Sequence, residues 1–135
     1  MGYTNAGKST LFNSLTGNEV YVENQLFATL DTTVRKLKLN KKHQVLLSDT
    51  VGFIRKLPHN LVASFRSTLK ELLDADHILI VLDASSNIIE EHLQTINDVL
   101  NDLGAVEIPK SYIFNKIDLI KKEVDLHKLK LSFNN

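Results

Sequence analysis

Gly2-Tyr3-Thr4-Asn5-Ala6-Gly7-Lys8-Ser9 follows a single methionine, and the reading of these eight residues decides the fold. They fit the pattern Gly-x-x-x-x-Gly-Lys-Ser/Thr, and a helix-compatible segment, Thr10-Leu11-Phe12-Asn13-Ser14-Leu15, comes next. Gly2 and Gly7 let the backbone curl until successive N–H groups face phosphate oxygens, and the positive end of the following helix strengthens the attraction. Lys8 would reach the β- and γ-phosphates, and the Ser9 hydroxyl would ligate Mg²⁺. A plain Gly-containing turn before a helix uses the same letters, so the loop needs support from elsewhere in the chain. If it is a phosphate loop, the fold is the α/β P-loop NTPase fold, three layers around a mostly parallel sheet.

Working outward, the apolar runs Val45-Leu46-Leu47 and Ile78-Leu79-Ile80-Val81-Leu82 lack strict alternation, which predicts strands buried on both faces of a parallel sheet. Ser111-Tyr112-Ile113-Phe114 is a third, weaker candidate. Leu61, Phe65, Leu69, Leu72 and Leu73 recur at helical spacing after Pro58, and Ile89, Leu93, Ile96, Leu100 and Leu103 form a second stripe that ends at Gly104. Alternating strands and helices predict an open α/β sheet. Val34 to Asn40 reads as a further strand, turned at Lys41-Lys42 and paired antiparallel with the strand that starts near Gln44.

Two more motifs fall on strand-to-loop junctions, the edge where an open α/β sheet presents its ligand site. Asp49-Thr50-Val51-Gly52 closes the Val45–Leu47 strand; Asp49 could hold Mg²⁺ through a water and Gly52 could approach the γ-phosphate by its backbone N–H. Asn115-Lys116-Ile117-Asp118 follows the third strand. Guanine carries an N1–H and an exocyclic amino group that the Asp118 carboxylate can accept from together, and Asn115 can meet the O6/N7 edge. Adenine offers a bare N1 lone pair at that place and would be repelled. The Lys116 stem would cover the ring. Singly, the two tetrapeptides also suit ordinary turns; three motifs in this order describe a guanine-nucleotide site.

With these residues in view the sequence resembles the HflX-type GTPases, within the translation-factor-related P-loop GTPases. The resemblance rests on residues 2–13, on Leu-Phe-Ala-Thr-Leu-Asp-Thr-Thr-Val-Arg (26–35), on Leu-Leu-Ser-Asp-Thr-Val-Gly-Phe-Ile-Arg-Lys-Leu-Pro-His (46–59), on Ala-Ser-Phe-Arg-Ser-Thr-Leu (63–69) and on the Asn115 to Asp118 motif. It implies Mg²⁺-dependent GTP hydrolysis by a cytoplasmic protein that binds GTP and GDP, associates with the large ribosomal subunit and rescues stalled ribosomes. The implied nucleotide site comprises Gly2, Tyr3, Thr4, Asn5, Ala6, Gly7, Lys8 and Ser9; the switch Phe27, Ala28, Thr29, Leu30 and Asp31; Asp49, Thr50, Val51 and Gly52; and Asn115, Lys116, Ile117 and Asp118. Lys8, Thr29 and Gly52 are the expected catalytic set, and Ser9 and Thr29 the expected Mg²⁺ ligands. Spacing alone does not choose among the hydroxyls of Thr29, Thr32 and Thr33; the resemblance selects Thr29, with Thr32 as the alternative. Phe53 stands where many GTPases place a water-orienting glutamine, which predicts slow unstimulated hydrolysis. Asn5 could hold a K⁺ against the phosphates, or could simply stabilise the turn.

The composition fits this reading. At 135 residues the chain has room for one domain, and with 43% hydrophobic and 24% charged residues it is neither disordered nor collagenous. Its absence of cysteine excludes disulfides, thiol catalysis and Cys-zinc sites, no run approaches the roughly 20 apolar residues of a membrane helix, and no DNA partner is expected. The formal charge is zero, yet residues 1–70 hold 10 Lys and Arg against 4 Asp and Glu, and residues 71–135 hold 6 against 12. A polyanionic partner is expected on the basic half. Arg35, Lys36, Lys38, Lys41, Lys42 and His43 form a basic cluster on the expected hairpin, suited either to RNA phosphates or to keeping an edge strand solvated. His59, His77, His92 and His127 show no ligand spacing.

In a P-loop fold a buried strand precedes the phosphate loop, between the strands ending here at Asp49 and Asp83, whereas one residue precedes Gly2. The expectation is a GTPase domain spanning residues 1–135 without its first central strand, its last strand and helix, or the amino-terminal domain of the family. Such a chain is expected to fold poorly and bind GTP weakly. The alternative to an active GTPase is therefore a truncated, non-catalytic remnant.

Overall fold

The computed structural model describes residues 1–17, 33–49 and 71–120. Two helices and four strands make up the main elements: α1 (Lys8–Thr16), β1 (Thr33–Lys38), β2 (Gln44–Asp49), β3 (Ile78–Asp83), α2 (Ile89–Leu103) and β4 (Lys110–Asn115). The expected helix after Pro58 lies outside the described residues except at its end, where Glu71–Asp74 forms a 3₁₀ turn. There Leu72 is buried while Leu73, expected on the same apolar stripe, is 45% exposed.

The β3-α2-β4 unit is the packed centre. The two strands run parallel in register from Ile78 opposite Lys110 to Asp83 opposite Asn115. Pro109 sits just before β4 and its carbonyl accepts from Ile78 N at 2.8 Å, starting the ladder. α2 opens with Glu90 and Glu91 in its first turn, where negative charge meets the positive helix end. It closes on Gly104 in the left-handed region (φ 73°), whose N–H reaches the carbonyls of Asn101 and Leu100. The stripe read from the sequence faces inward, for Ile80 and Leu82 of β3 and Ile96 and Leu100 of α2 are the largest fully buried side chains.

β1 and β2 form a separate antiparallel pair, Thr33 opposite Asp49 through Lys38 opposite Gln44. Its turn is held by Asn40, whose Oδ1 accepts from the N–H groups of Lys42 and His43, each at 2.9 Å. The hairpin thus forms where the sequence places it. The expectation that Val45-Leu46-Leu47 is buried on both faces is not met, since Val45 is 41% and Leu46 69% exposed. Among the described residues β2 pairs only with β1, and its opposite side borders a cleft lined by Leu11, Phe12, Leu47, Leu79, Val81 and Met1. Three consecutive apolar residues signal burial, and here the described residues cover only part of their surface.

Met1 and Gly2 lie along the β3 side of that cleft. The Met1 amine donates to the Leu79 carbonyl at 2.9 Å, the Met1 carbonyl accepts from Val81 N at 2.8 Å, and Gly2 bridges Val81 in parallel sense. The chain therefore enters the phosphate loop beside β3, on the side predicted for the strand that leads into it.

Candidate functional site

The site is built where Gly2–Ser9, the end of β2 and the end of β4 converge. A Cβ on Gly2 would collide with the Val81 carbonyl, and one on Gly7 with the Asn115 amide. Gly7 also caps α1 at φ 89°, a conformation that other residues adopt at a cost. Gly2 is thus required by its close approach to the β3 backbone, and Gly7 by its left-handed conformation. Asn5 is likewise left-handed at φ 61°, while Ala6 is buried at the centre of the loop.

Lys8 bends back over this loop and donates to the Tyr3 carbonyl at 2.9 Å. Burial lowers its pKa from 10.5 to about 8, against the attraction of Asp49, which raises it. The ammonium is poorly solvated and occupied by one neutral carbonyl, so an incoming phosphate would be a stronger partner. Ser9, in the first turn of α1, donates its hydroxyl to Asp49 Oδ2 at 2.6 Å. Asp49 ends β2 and is 7% exposed. A hydroxyl and a carboxylate in contact form a hard-oxygen pair of the kind Mg²⁺ takes together with phosphates and water. No group of three or more His, Cys, Asp or Glu side chains is assembled for a metal among the described residues.

The third motif is joined to the first by Asn115. Its Nδ2 donates to the Ala6 carbonyl at 2.9 Å across 109 residues of sequence, so its amide faces the phosphate loop. The sequence reading gave that side chain to the O6/N7 edge of a base; in the structure one of its N–H donors already ties the two loops together. Lys116 follows in the left-handed conformation (φ 60°), and Ile117–Leu119 makes a 3₁₀ turn that leaves Asp118 exposed. The Asp118 carboxylate is thereby open to a ligand. Thr4 and Tyr3 are half-buried in the phosphate loop. Phe27, Ala28, Thr29, Leu30, Asp31 and Thr32 lie outside the described residues, as do Thr50, Val51, Gly52 and Phe53.

Arg35 departs from its expected place in a solvent-facing cluster. Its guanidinium lies 5.1 Å over the centroid of Phe12 and donates to Thr16 Oγ1 at 3.2 Å, so it fastens β1 to α1. Lys36, Lys38, Lys41, Lys42 and His43 remain exposed. Sequence reasoning also missed His92 of α2, whose ring stacks on Tyr3 at 3.8 Å between centroids and 15° between planes, and Asp83 with Ser85 at the end of β3. A usable signal existed for Asp83: like Asp49, it is an acid at the carboxyl end of a strand, on the ligand edge of the sheet.

A family model described as 50S ribosome-binding GTPase matches residues 1–116. The chain belongs to that family. Among curated relatives it is 56% identical over 121 residues to the GTPase HflX of Caldanaerobacter subterraneus subsp. tengcongensis, and 49% identical over 121 residues to the GTPase HflX of Escherichia coli. Each alignment covers 90% of this chain and 28% of the relative, so the chain spans little more than a quarter of their length. Among solved structures it resembles a GTP-binding protein of the hyperthermophilic archaeon Sulfolobus solfataricus in complex with GDP, with TM-score 0.77 and 32% identity over 96% of this chain and 39% of that one. NFeoB of S. thermophilus bound to GDP·AlF4⁻ is more distant, with TM-score 0.66 and 27% identity over 88% of this chain and 44% of that one. The fold is the α/β P-loop fold expected from the first eight residues of the motif, and the resemblance to HflX-type GTPases is borne out.

Proposed function

We propose that this chain carries the guanine-nucleotide site of an HflX-type GTPase, which hydrolyses GTP with Mg²⁺ in the cytoplasm and couples that hydrolysis to the large ribosomal subunit. One observation carries the reading: the Asn115-to-Ala6 bond holds the base-reading turn against the phosphate loop. Phosphates would be received by the backbone N–H groups of the Gly2–Ser9 loop. Lys8 would exchange the Tyr3 carbonyl for β- and γ-phosphate oxygens, gaining a charged partner for a neutral one. Ser9 and Asp49 would hold Mg²⁺, the hydroxyl directly and the carboxylate through water, with Thr29 as second hydroxyl. When bound, Mg²⁺ supplies charge neutralisation on the phosphate oxygens. Gly52 would place its N–H at the γ-phosphate, and Asn5 could add a K⁺, which faster turnover in K⁺ than in Na⁺ would reveal.

Base choice provides the test. Asp118 accepts two hydrogen bonds from guanine, whereas an amide at that position offers one donor and one acceptor, the complement of xanthine. Asp118→Asn is expected to lose GDP affinity by a factor on the order of 100 and to gain xanthosine diphosphate. Unchanged GDP binding in this variant would refute the assignment. A second reading is a chain that binds nucleotide weakly or not at all and does not hydrolyse it. Single-turnover GTP hydrolysis separates the two.

A further inference from the structure

Asp83 belongs to none of the three motifs, yet both of its carboxylate oxygens are engaged at the edge of the nucleotide site. Oδ2 lies 2.6 Å from the Lys116 ammonium, and Oδ1 accepts from the Ser85 N–H at 3.0 Å and the Ser85 hydroxyl at 2.6 Å. Lys116 and Asp83 are only 30% and 21% exposed as side chains. Partial burial raises the Asp83 pKa, but the hydrogen bonds from Lys116 and Ser85 outweigh it and hold the carboxyl below its ordinary value. The acid is therefore ionised and fixed from both sides.

The pair is not needed to align the strands. β3 and β4 are already paired over six residues, and Ala84 N donates to the Asn115 carbonyl at 2.9 Å just beyond them. What the pair does set is the direction of the Lys116 side chain. Lys116 holds a left-handed backbone that costs a non-glycine residue energy, and such conformations gather at functional sites. From that backbone the side chain reaches back to the end of β3. A lysine stem that must lie along the face of a base would otherwise sample many rotamers in water, and fixing it beforehand lowers the cost of binding.

We propose, resting on the guanine-nucleotide reading above, that Asp83 is a positioning residue of the guanine site: braced by Ser85, it anchors the Lys116 ammonium so that the Lys116 stem is preset to cover the base. The effect falls on the nucleoside end of the ligand and spares the phosphate end, where Lys8 and Ser9 act.

Competition against a fluorescent GDP, using GDP and inorganic pyrophosphate as two separate probes on the full chain, reads this directly. Asp83→Asn keeps the shape of the side chain and is expected to weaken GDP about tenfold while leaving pyrophosphate within about twofold. Ser85→Ala, which removes one brace, is expected to weaken GDP less, again sparing pyrophosphate. Adding Lys116→Met to Asp83→Asn is expected to cost less than the product of the two single effects, because both break one pair. Equal loss of GDP and pyrophosphate affinity, or unchanged GDP affinity in both Asp83→Asn and Ser85→Ala, would overturn the proposal. A parent chain that binds pyrophosphate but does not prefer guanine over adenine nucleotides would instead sink the guanine reading.

Discussion

Lys8 is caught between burial, which disfavours its charge, and the phosphate contact proposed for it, which requires that charge. With its pKa held near 8 in the free protein, it loses its proton over the range in which an exposed lysine keeps it. Phosphate oxygens favour the charged form, so the bound-state pKa lies higher and binding takes up a proton once the pH exceeds about 8. GDP affinity is accordingly expected to fall by up to about tenfold per pH unit between roughly pH 8 and pH 10, with proton uptake visible by calorimetry in buffers of different ionisation heat. For folding the sign is opposite. The unfolded chain retains a proton that the folded chain sheds between about 8 and 10.5, so this one group makes the fold more stable as pH rises through that window. A flat GDP affinity from pH 7 to 9.5 would show that Lys8 does not meet the phosphates.

At the scale of elements, α2 and β2 make contrasting contributions. α2 buries Ile96 and Leu100 completely against β3, whereas β2 leaves Leu46 69% exposed. Ile96→Ala is expected to destabilise the chain by about 2–5 kcal/mol, and Leu46→Ala to stay within about 0.5 kcal/mol, as measured by urea unfolding midpoints. Comparable losses would mean that Leu46 is covered. The same contrast explains what could be read from the sequence. The α2 stripe, its Gly104 stop, the β3 run and the turn at Lys41-Lys42 are dictated by local periodicity and turn chemistry and formed where they were expected, although the strand before the turn ends at Lys38, short of the expected Asn40. Side-chain direction was not local. Arg35 turns onto Phe12 and Thr16, and Asn115 turns onto Ala6, because of partners 19 to 109 residues away. The Tyr3–His92 stack and the Asp83–Lys116 pair arise the same way, from residues with no shared motif.

For the whole molecule, the neutral total charge hides a basic first half and an acidic second half. The phosphate loop and the hairpin with exposed Lys36, Lys38, Lys41 and Lys42 lie in the basic half, while α2 carries Glu90, Glu91, Asp98 and Asp102 in the acidic half. The turn proposed to read the base, Asn115 to Asp118, comes from the acidic half and meets the phosphate loop through Ala6. That this turn and the phosphate loop form one guanine-nucleotide site is the central claim, and competition between GDP and ADP for a fluorescent GDP bound in the presence of Mg²⁺ tests it most directly. The account predicts that GDP displaces the probe at a concentration at least about 100-fold lower than ADP does; displacement by ADP at a concentration similar to that of GDP would contradict it.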